Sequence, residues 1–271
     1  MAGTTLAYDR AGSGPPALLL HGWPGDRSDW ALVGDLLEAD VIRPDLHGFG
    51  ESAPAGDPSA AGQTAALVAL LNDLDIDRVV VGGYDVGSRV AQTLAATHPD
   101  RVSALVLAPP LPGAGRRVLE PDAVAEFWYQ SFHQLRLAEE LVDGRADATR
   151  AYLRHFWDHW SGPAFTVSEE RLDRLTARYA RPGAFTASIG WYRAGAGMVR
   201  ASLAEQPPAD RLATPLTVLW PEFDPLFPRA WSDRVGDWFS AADLRPLDGV
   251  GHFSPVEAPQ AWAAALTEVL T

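Results

Sequence analysis

Gly83-Tyr84-Asp85-Val86-Gly87 carries the densest chemical signal in the chain. Glycines two positions before and two after a central residue let the backbone turn sharply without Cβ clashes. This is the spacing of a nucleophile elbow, whose commonest central residue is serine. Here the centre is aspartate. A carboxylate with a reference pKa of about 3.9 is ionised at neutral pH and needs no base to attack. Its expected reaction is attack on a saturated carbon, followed by hydrolysis of the resulting ester. Ser88 is the rival nucleophile, but Val86 and Val90 stand where its glycines would have to be. It is expected in the first turn of a helix instead.

An elbow needs a strand before it and a helix after it. Arg78-Val79-Val80-Val81-Gly82 reads as a buried parallel strand, and Ser88 to Thr97 as a helix closed by His98-Pro99-Asp100. Similar short apolar runs recur at Ala17 to Leu20, Val41-Ile42, Val102 to Leu107 and Leu216 to Trp220. Short strands separated by helical patterns predict an α/β fold with a mostly parallel sheet and helices on both faces. Two Pro/Gly-rich stretches, Pro109 to Gly115 and Gln206-Pro207-Pro208, interrupt the alternation. Between them only helical spacing appears. Leu153, Phe156, Trp157 and Trp160 make one apolar stripe, and Leu172, Leu175 and Tyr179 another. Residues 115–206 are therefore read as a helical cap inserted into a core of residues 1–114 and 207–271, which ends in a helix from Pro259 to Leu270.

Composition narrows the chemistry. The 271 residues include no cysteine, which excludes disulfides, thiolate catalysis and Cys-ligated metals. All basic residues are arginine, which removes Schiff-base chemistry and a phosphate-loop lysine. The net charge of −13 repels nucleic acid and anionic lipid. No apolar run reaches the roughly 18 residues of a membrane span. Met1 to Thr5 lack a basic region followed by an apolar one, so a cytoplasmic location without a leader is expected. The expected partner is a small-molecule substrate; a homodimer is compatible with this composition. No cofactor or metal is expected. His155 and His159 have the spacing of a metal pair but fall opposite the apolar stripe, on a solvated face. His47 is assigned to a structural turn.

Four segments together resemble the α/β-hydrolase superfamily over nearly the whole chain. His21-Gly22-Trp23-Pro24 follows the first apolar strand, and Asp85 occupies the elbow. Leu219-Trp220-Pro221-Glu222-Phe223-Asp224 ends a strand with acids, and Gly249-Val250-Gly251-His252-Phe253 places a histidine in a loop before the last helix. The order nucleophile, acid, histidine is that of the superfamily. Asp45-Leu46-His47-Gly48-Phe49-Gly50-Glu51-Ser52 resembles the turn after its fourth strand. The resemblance implies an eight-stranded sheet and an oxyanion hole formed by the backbone N–H groups of Trp23 and Val86. It implies that His252 is oriented by an acid: Asp224 by spacing, with Glu222 as competitor.

The aspartate narrows the resemblance to epoxide hydrolases and dehalogenases. Phe127-Trp128-Tyr129-Gln130 and Gly190-Trp191-Tyr192-Arg193 are similar to the epoxide-hydrolase segments that carry two ring-opening tyrosines. That similarity assigns Tyr129 and Tyr192 to the departing oxygen, and Trp128, Gln130, Trp191 and Phe253 to the substrate pocket. The chain departs from the pattern at Val86, where haloalkane dehalogenases hold the halide with tryptophan, and at Tyr84, where histidine is frequent. Arg89 resembles a carboxylate-binding arginine of fluoroacetate-type dehalogenases, but Val86 replaces its partner arginine, so an ion pair is expected for it. The implied function is opening of a neutral, largely apolar epoxide to a diol. A dehalogenase using Asp85, His252 and Asp224, and a non-catalytic small-molecule binding protein, are the alternatives.

Overall fold

A computed structural model describes residues 6–270 apart from residue 55. Met1 to Thr5, on which the expectation of no leader rests, lie outside the described residues. The strands are β1 (Tyr8–Ala11), β2 (Pro16–Leu20), β3 (Asp40–Pro44), β4 (Val79–Gly83), β5 (Val102–Leu107), β6 (Leu216–Pro221) and β7 (Ala242–Leu247). They form one sheet in the order β1-β3-β2-β4-β5-β6-β7. Only β1 runs antiparallel, against β3; the remaining pairs are parallel. The described residues thus hold seven strands where the resemblance implies eight, and nothing ahead of Leu6 is described.

The apolar runs read from the sequence are the central strands, with β4 buried along its whole length. The runs did not mark β1 and β7. Both are edge strands with mostly exposed residues, and an edge needs no continuous apolar run. Alternate residues of a strand face opposite sides. A Cβ on Gly82 would meet Leu266 of the helix Pro259–Val269, whereas one on Gly83 would meet the backbone of Gly87 in the helix Val86–Thr97. These two helices therefore cover opposite faces.

Between β5 and β6 every regular element is helical, from Gly115 to Ala204. The two apolar stripes lie on the helices Ala146–Trp160 and Glu169–Tyr179, and all seven of their residues are buried. Trp157 and Tyr179 bring these helices onto the loop after β2. Trp157 Nε1 donates to the Pro24 carbonyl at 3.2 Å, and the Tyr179 hydroxyl to the Gly25 carbonyl at 2.8 Å. Arg171 adds an ion pair to the fully buried Asp29, 2.7 Å away. The helical segment is thereby seated above the C-terminal ends of the strands. Between β2 and β4 the winding direction of the sheet reverses, which opens a crevice at those ends.

Candidate active site

β4 ends at Gly83, and the helix Val86–Thr97 begins three residues later. Asp85 joins them with φ 49° and ψ −122°, a positive φ that costs a non-glycine residue backbone energy. The flanking glycines permit it. A Cβ on Gly83 would stand 2.7 Å from the Gly87 carbonyl oxygen, and one on Gly87 would stand 2.1 Å from that of Leu20. The turn lifts the Asp85 carboxylate off the sheet without a capping bond to its own helix. Ser88 lies inside that helix, fully buried, with its hydroxyl bonded to the Pro110 carbonyl at 3.3 Å.

The backbone N–H of Trp23 donates to Oδ1 of Asp85 at 2.7 Å. This approach depends on Gly22, where a Cβ would sit 2.6 Å from that of Asp85. Val86 is the first residue of its helix, so its N–H has no carbonyl partner within the helix. The other oxygen, Oδ2, lies 3.5 Å from Nε2 of His252. That nitrogen is buried without a hydrogen-bond partner. Nδ1 of His252 is 2.9 Å from Oδ2 of Asp224, whose Oδ1 accepts from the Leu226 N–H at 2.9 Å. Glu222 instead accepts from the Gly249 N–H at 2.8 Å and steadies the histidine loop. Asp224, not Glu222, is thus the acid in contact with the imidazole.

Burial opposes a charge on His252, but Asp224 and then Asp85 outweigh it and push its pKa up to about 10. Trp160 stands edge-on to the ring at 5.0 Å, and its carbonyl accepts from the backbone N–H of His252 at 2.8 Å. Glu257 fastens the same loop from below: its carboxylate accepts the N–H groups of Gly162, Gly251 and Phe253 at 2.9, 2.8 and 3.1 Å. Sequence reading missed Glu257. Its only signal was an acid five residues after the histidine.

Tyr129 and Tyr192 reach the site from the short helices Trp128–Phe132 and Gly190–Arg193. Their rings are perpendicular with centroids 5.6 Å apart. Gln130 Nε2 donates to the Tyr129 hydroxyl at 3.2 Å. Burial first, and then the charge of Asp85 on Tyr129 and the phenol of Tyr129 on Tyr192, raise both pKa values well above the ordinary tyrosine value. Both groups therefore remain protonated donors. With Asp85, Gln130 and Trp191 they line one cavity of about 20 Å³.

Two expected pocket residues do not reach this cavity. Successive helix positions point about 100° apart, so turning Tyr129 inward leaves Trp128 on the outer side, 41% exposed and stacked on Phe156. Phe253 stacks on Trp157 at 3.7 Å, meets the His252 ring edge-on and does not line the cavity. The cavity takes Phe227 and Met198 instead, side chains from segments far apart in the chain that no local spacing marks. Arg89 also lines it, ion-paired with Glu205. His155 and His159 are exposed, and no metal-holding cluster occurs among the described residues. His47 bonds the Ala53 carbonyl within its turn.

Beneath the elbow, the Tyr84 hydroxyl donates to Asp29 at 2.7 Å. Burial raises the Asp29 pKa to about 6, against the opposing charge of Arg171. The residue before Asp85 is thereby tied to an arginine of the helical segment.

The strand–elbow–helix unit, the strand order and the Asp–His–Asp geometry define a class, and comparison with known proteins agrees. Residues 15–259 match the alpha/beta hydrolase fold family, and the chain belongs to it. It is 30% identical to a soluble epoxide hydrolase of Corynebacterium sp. (strain C12), over 95% of this chain and 91% of that one. It is 29% identical to a fluoroacetate dehalogenase of Burkholderia sp., over 68% of this chain and 64% of the other. The solved epoxide hydrolase CorEH superposes with a TM-score of 0.83 at 26% identity, covering 97% of this chain and 93% of that one. The chain is thus a hydrolase of the α/β fold with epoxide-hydrolase-like and dehalogenase-like relatives.

Proposed function

We propose that this protein is a cofactor-independent epoxide hydrolase acting on a small, neutral, largely apolar epoxide. The reading is carried by one observation: two buried tyrosines, Tyr129 and Tyr192, line the same cavity as Asp85, and their burial favours the protonated, donating form. An epoxide's leaving oxygen stays attached to the product and becomes strongly basic as the ring opens, so it needs donors. A halide leaves as a weak base and does not.

In the proposed reaction Oδ2 of Asp85 attacks a ring carbon while Oδ1 stays on the Trp23 N–H. The C–O bond breaks, its electron pair goes to the ring oxygen, and that oxygen takes a proton from the tyrosine pair. Esterification removes the negative charge of Asp85. The pKa of His252 then falls, and the proton it sheds restores the tyrosine. Neutral His252, held by Asp224, next takes a proton from water, whose oxygen attacks Cγ of the ester. The Trp23 and Val86 N–H groups hold the oxyanion on Oδ1. Collapse breaks the Cγ–Oδ2 bond; the proton on the added hydroxyl passes, by way of His252, to the departing alkoxide oxygen, releasing the diol and returning Asp85 as a carboxylate beside protonated His252. In this reading residues 115–206 form the cap.

Arg89 bears on the dehalogenase alternative. A haloacid would need a cation free to bind its carboxylate, and Arg89 is paired with Glu205. The deciding experiment is a single turnover in heavy-oxygen water with mass analysis of the peptide carrying Asp85, alongside assays for diol and for halide. Diol formation with label in Asp85 is expected. Halide release without diol would transfer the chain to the dehalogenases, and label in the diol alone would remove the ester from the scheme.

A further inference from the structure

The cavity beside Asp85 has the room of one water-sized molecule. Any organic epoxide is larger, so part of the wall must move before substrate reaches the carboxylate. Most of the wall resists movement. Tyr129, Trp191, Tyr192 and Phe227 are buried aromatics, and displacing such side chains opens voids and exposes apolar surface.

Arg89 differs. It lines the Asp85 cavity and also a second cavity of about 220 Å³. Its partner Glu205 lines that second cavity and a third of about 500 Å³. The two side chains are 18% and 17% exposed. One partly exposed ion pair therefore stands between Asp85 and two larger hollows. Water competes for both charges of such a pair, so it separates more readily than packed aromatics do. The pair also bridges two separate segments. Arg89 sits on the core helix Val86–Thr97, whereas Glu205 ends the seven-residue helix Met198–Ala204 and precedes Gln206-Pro207-Pro208. Met198, on that same short helix, belongs to the cavity wall, so a shift that parts the pair also widens the cavity. By contrast, the hollow of about 350 Å³ lined by Phe49 and Tyr179 shares no residue with the Asp85 cavity.

We propose that the Arg89–Glu205 pair is the gate through which substrate reaches Asp85 and product leaves. The proposal rests on the reading of this cavity as a substrate site. Thr93 lines the second cavity one helical turn beyond Arg89, and the chain has no cysteine, so Thr93→Cys supplies a unique thiol. The thiol is modified with methyl or benzyl methanethiosulfonate. The first readout is the association rate of butyramide, whose carbonyl can accept from the tyrosines and whose N–H can face Asp85; Trp191 in the wall reports binding by fluorescence. The second readout is kcat/KM for propylene oxide and for the bulkier styrene oxide.

The benzyl adduct is expected to slow association by roughly tenfold or more, the methyl adduct to have little effect, and reductant to restore the rate. Glu205→Gln is expected to raise kcat/KM for styrene oxide more than for propylene oxide. Unchanged association in the benzyl-modified protein, or an equal effect of Glu205→Gln on both epoxides, would overturn the gate. Wild-type protein that binds the amide but forms no diol would sink the proposed reaction and leave the association test of the gate intact.

Discussion

Nε2 of His252 lies 3.5 Å from Oδ2 of Asp85. The same ring holds Asp224 through Nδ1, so one imidazole stands between two carboxylates. Its charge is favoured while both are ionised. In the proposed reaction, esterification of Asp85 removes one of those charges, and the ring becomes a base at the stage where a base is required. On that proposal, Asp85 would control the protonation of the group that later regenerates it.

This arrangement sets a pH dependence of stability. Against burial, the two carboxylates raise the folded-state pKa of His252 to about 10, above the unfolded value of about 6.5. The stabilising contribution is complete below the unfolded pKa and is lost as pH rises through the folded one. The stability gap between wild type and His252→Gln is therefore expected to be largest near pH 6 and to close above about pH 10. Urea unfolding across that window measures it, and a gap that widened with pH would contradict the charge assignment.

His252→Gln should also separate the two chemical steps. In the proposed reaction, ring opening by Asp85 needs no base, whereas ester hydrolysis does. The variant is expected to accumulate an alkyl-enzyme, seen as a mass increase equal to that of the epoxide, with steady-state turnover reduced by at least about 10³-fold. Turnover near the wild-type rate would remove His252 from the second step.

The tyrosine hydroxyls should matter in the first step only. Tyr129→Phe and Tyr192→Phe each remove one donor while keeping the ring that packs on Trp23. Each is expected to slow formation of the alkyl-enzyme by about 10- to 100-fold, and the double variant by more. Rapid-quench measurement of the ester resolves this. If decay of a preformed ester slowed as much as its formation, the hydroxyls would not be acting on the leaving oxygen.

Asp224 and Glu222 make a matched comparison. Asp224→Asn keeps the shape but loses the carboxylate facing Nδ1, and ester hydrolysis is expected to slow by about 10²- to 10⁴-fold. Glu222→Gln retains an acceptor for the Gly249 N–H and should cost less than about tenfold. Similar losses in both, measured at equal folded fractions, would undo the assignment of Asp224.

Arg171→Met strands the buried carboxylate of Asp29 without its cation. Breaking a buried pair from one side destabilises by about 3–5 kcal/mol, so a clear fall in melting temperature is expected. Replacing both partners, Asp29→Asn with Arg171→Met, should recover part of the loss because no unpaired charge remains. No recovery in the double variant would locate the loss elsewhere than in the charge.

Legibility differed with the range of the interactions concerned. The elbow could be read because its constraint is local: glycines must flank the strained residue within five positions. The central strands could be read because both their faces are buried, which demands continuous apolar runs. The edge strands β1 and β7 escaped because half-solvated backbone carries no such demand. Trp128 was misplaced, since a spacing rule cannot tell which side of a short helix turns inward when Tyr129 and Trp128 are both large aromatics.

What the linear chain determined by itself was the inventory and order of reactive groups: a carboxylate in a strained turn, a later acid, a histidine before the last helix, and no thiol or amine to rival them. Tertiary structure decided which of Asp224 and Glu222 meets the imidazole, that Phe227 and Met198 rather than Trp128 and Phe253 wall the cavity, and that Glu205 closes on Arg89. Local preferences reach a few residues along the backbone, whereas these contacts join segments tens of residues apart. Only packing of the whole sheet and its helices sets their distances.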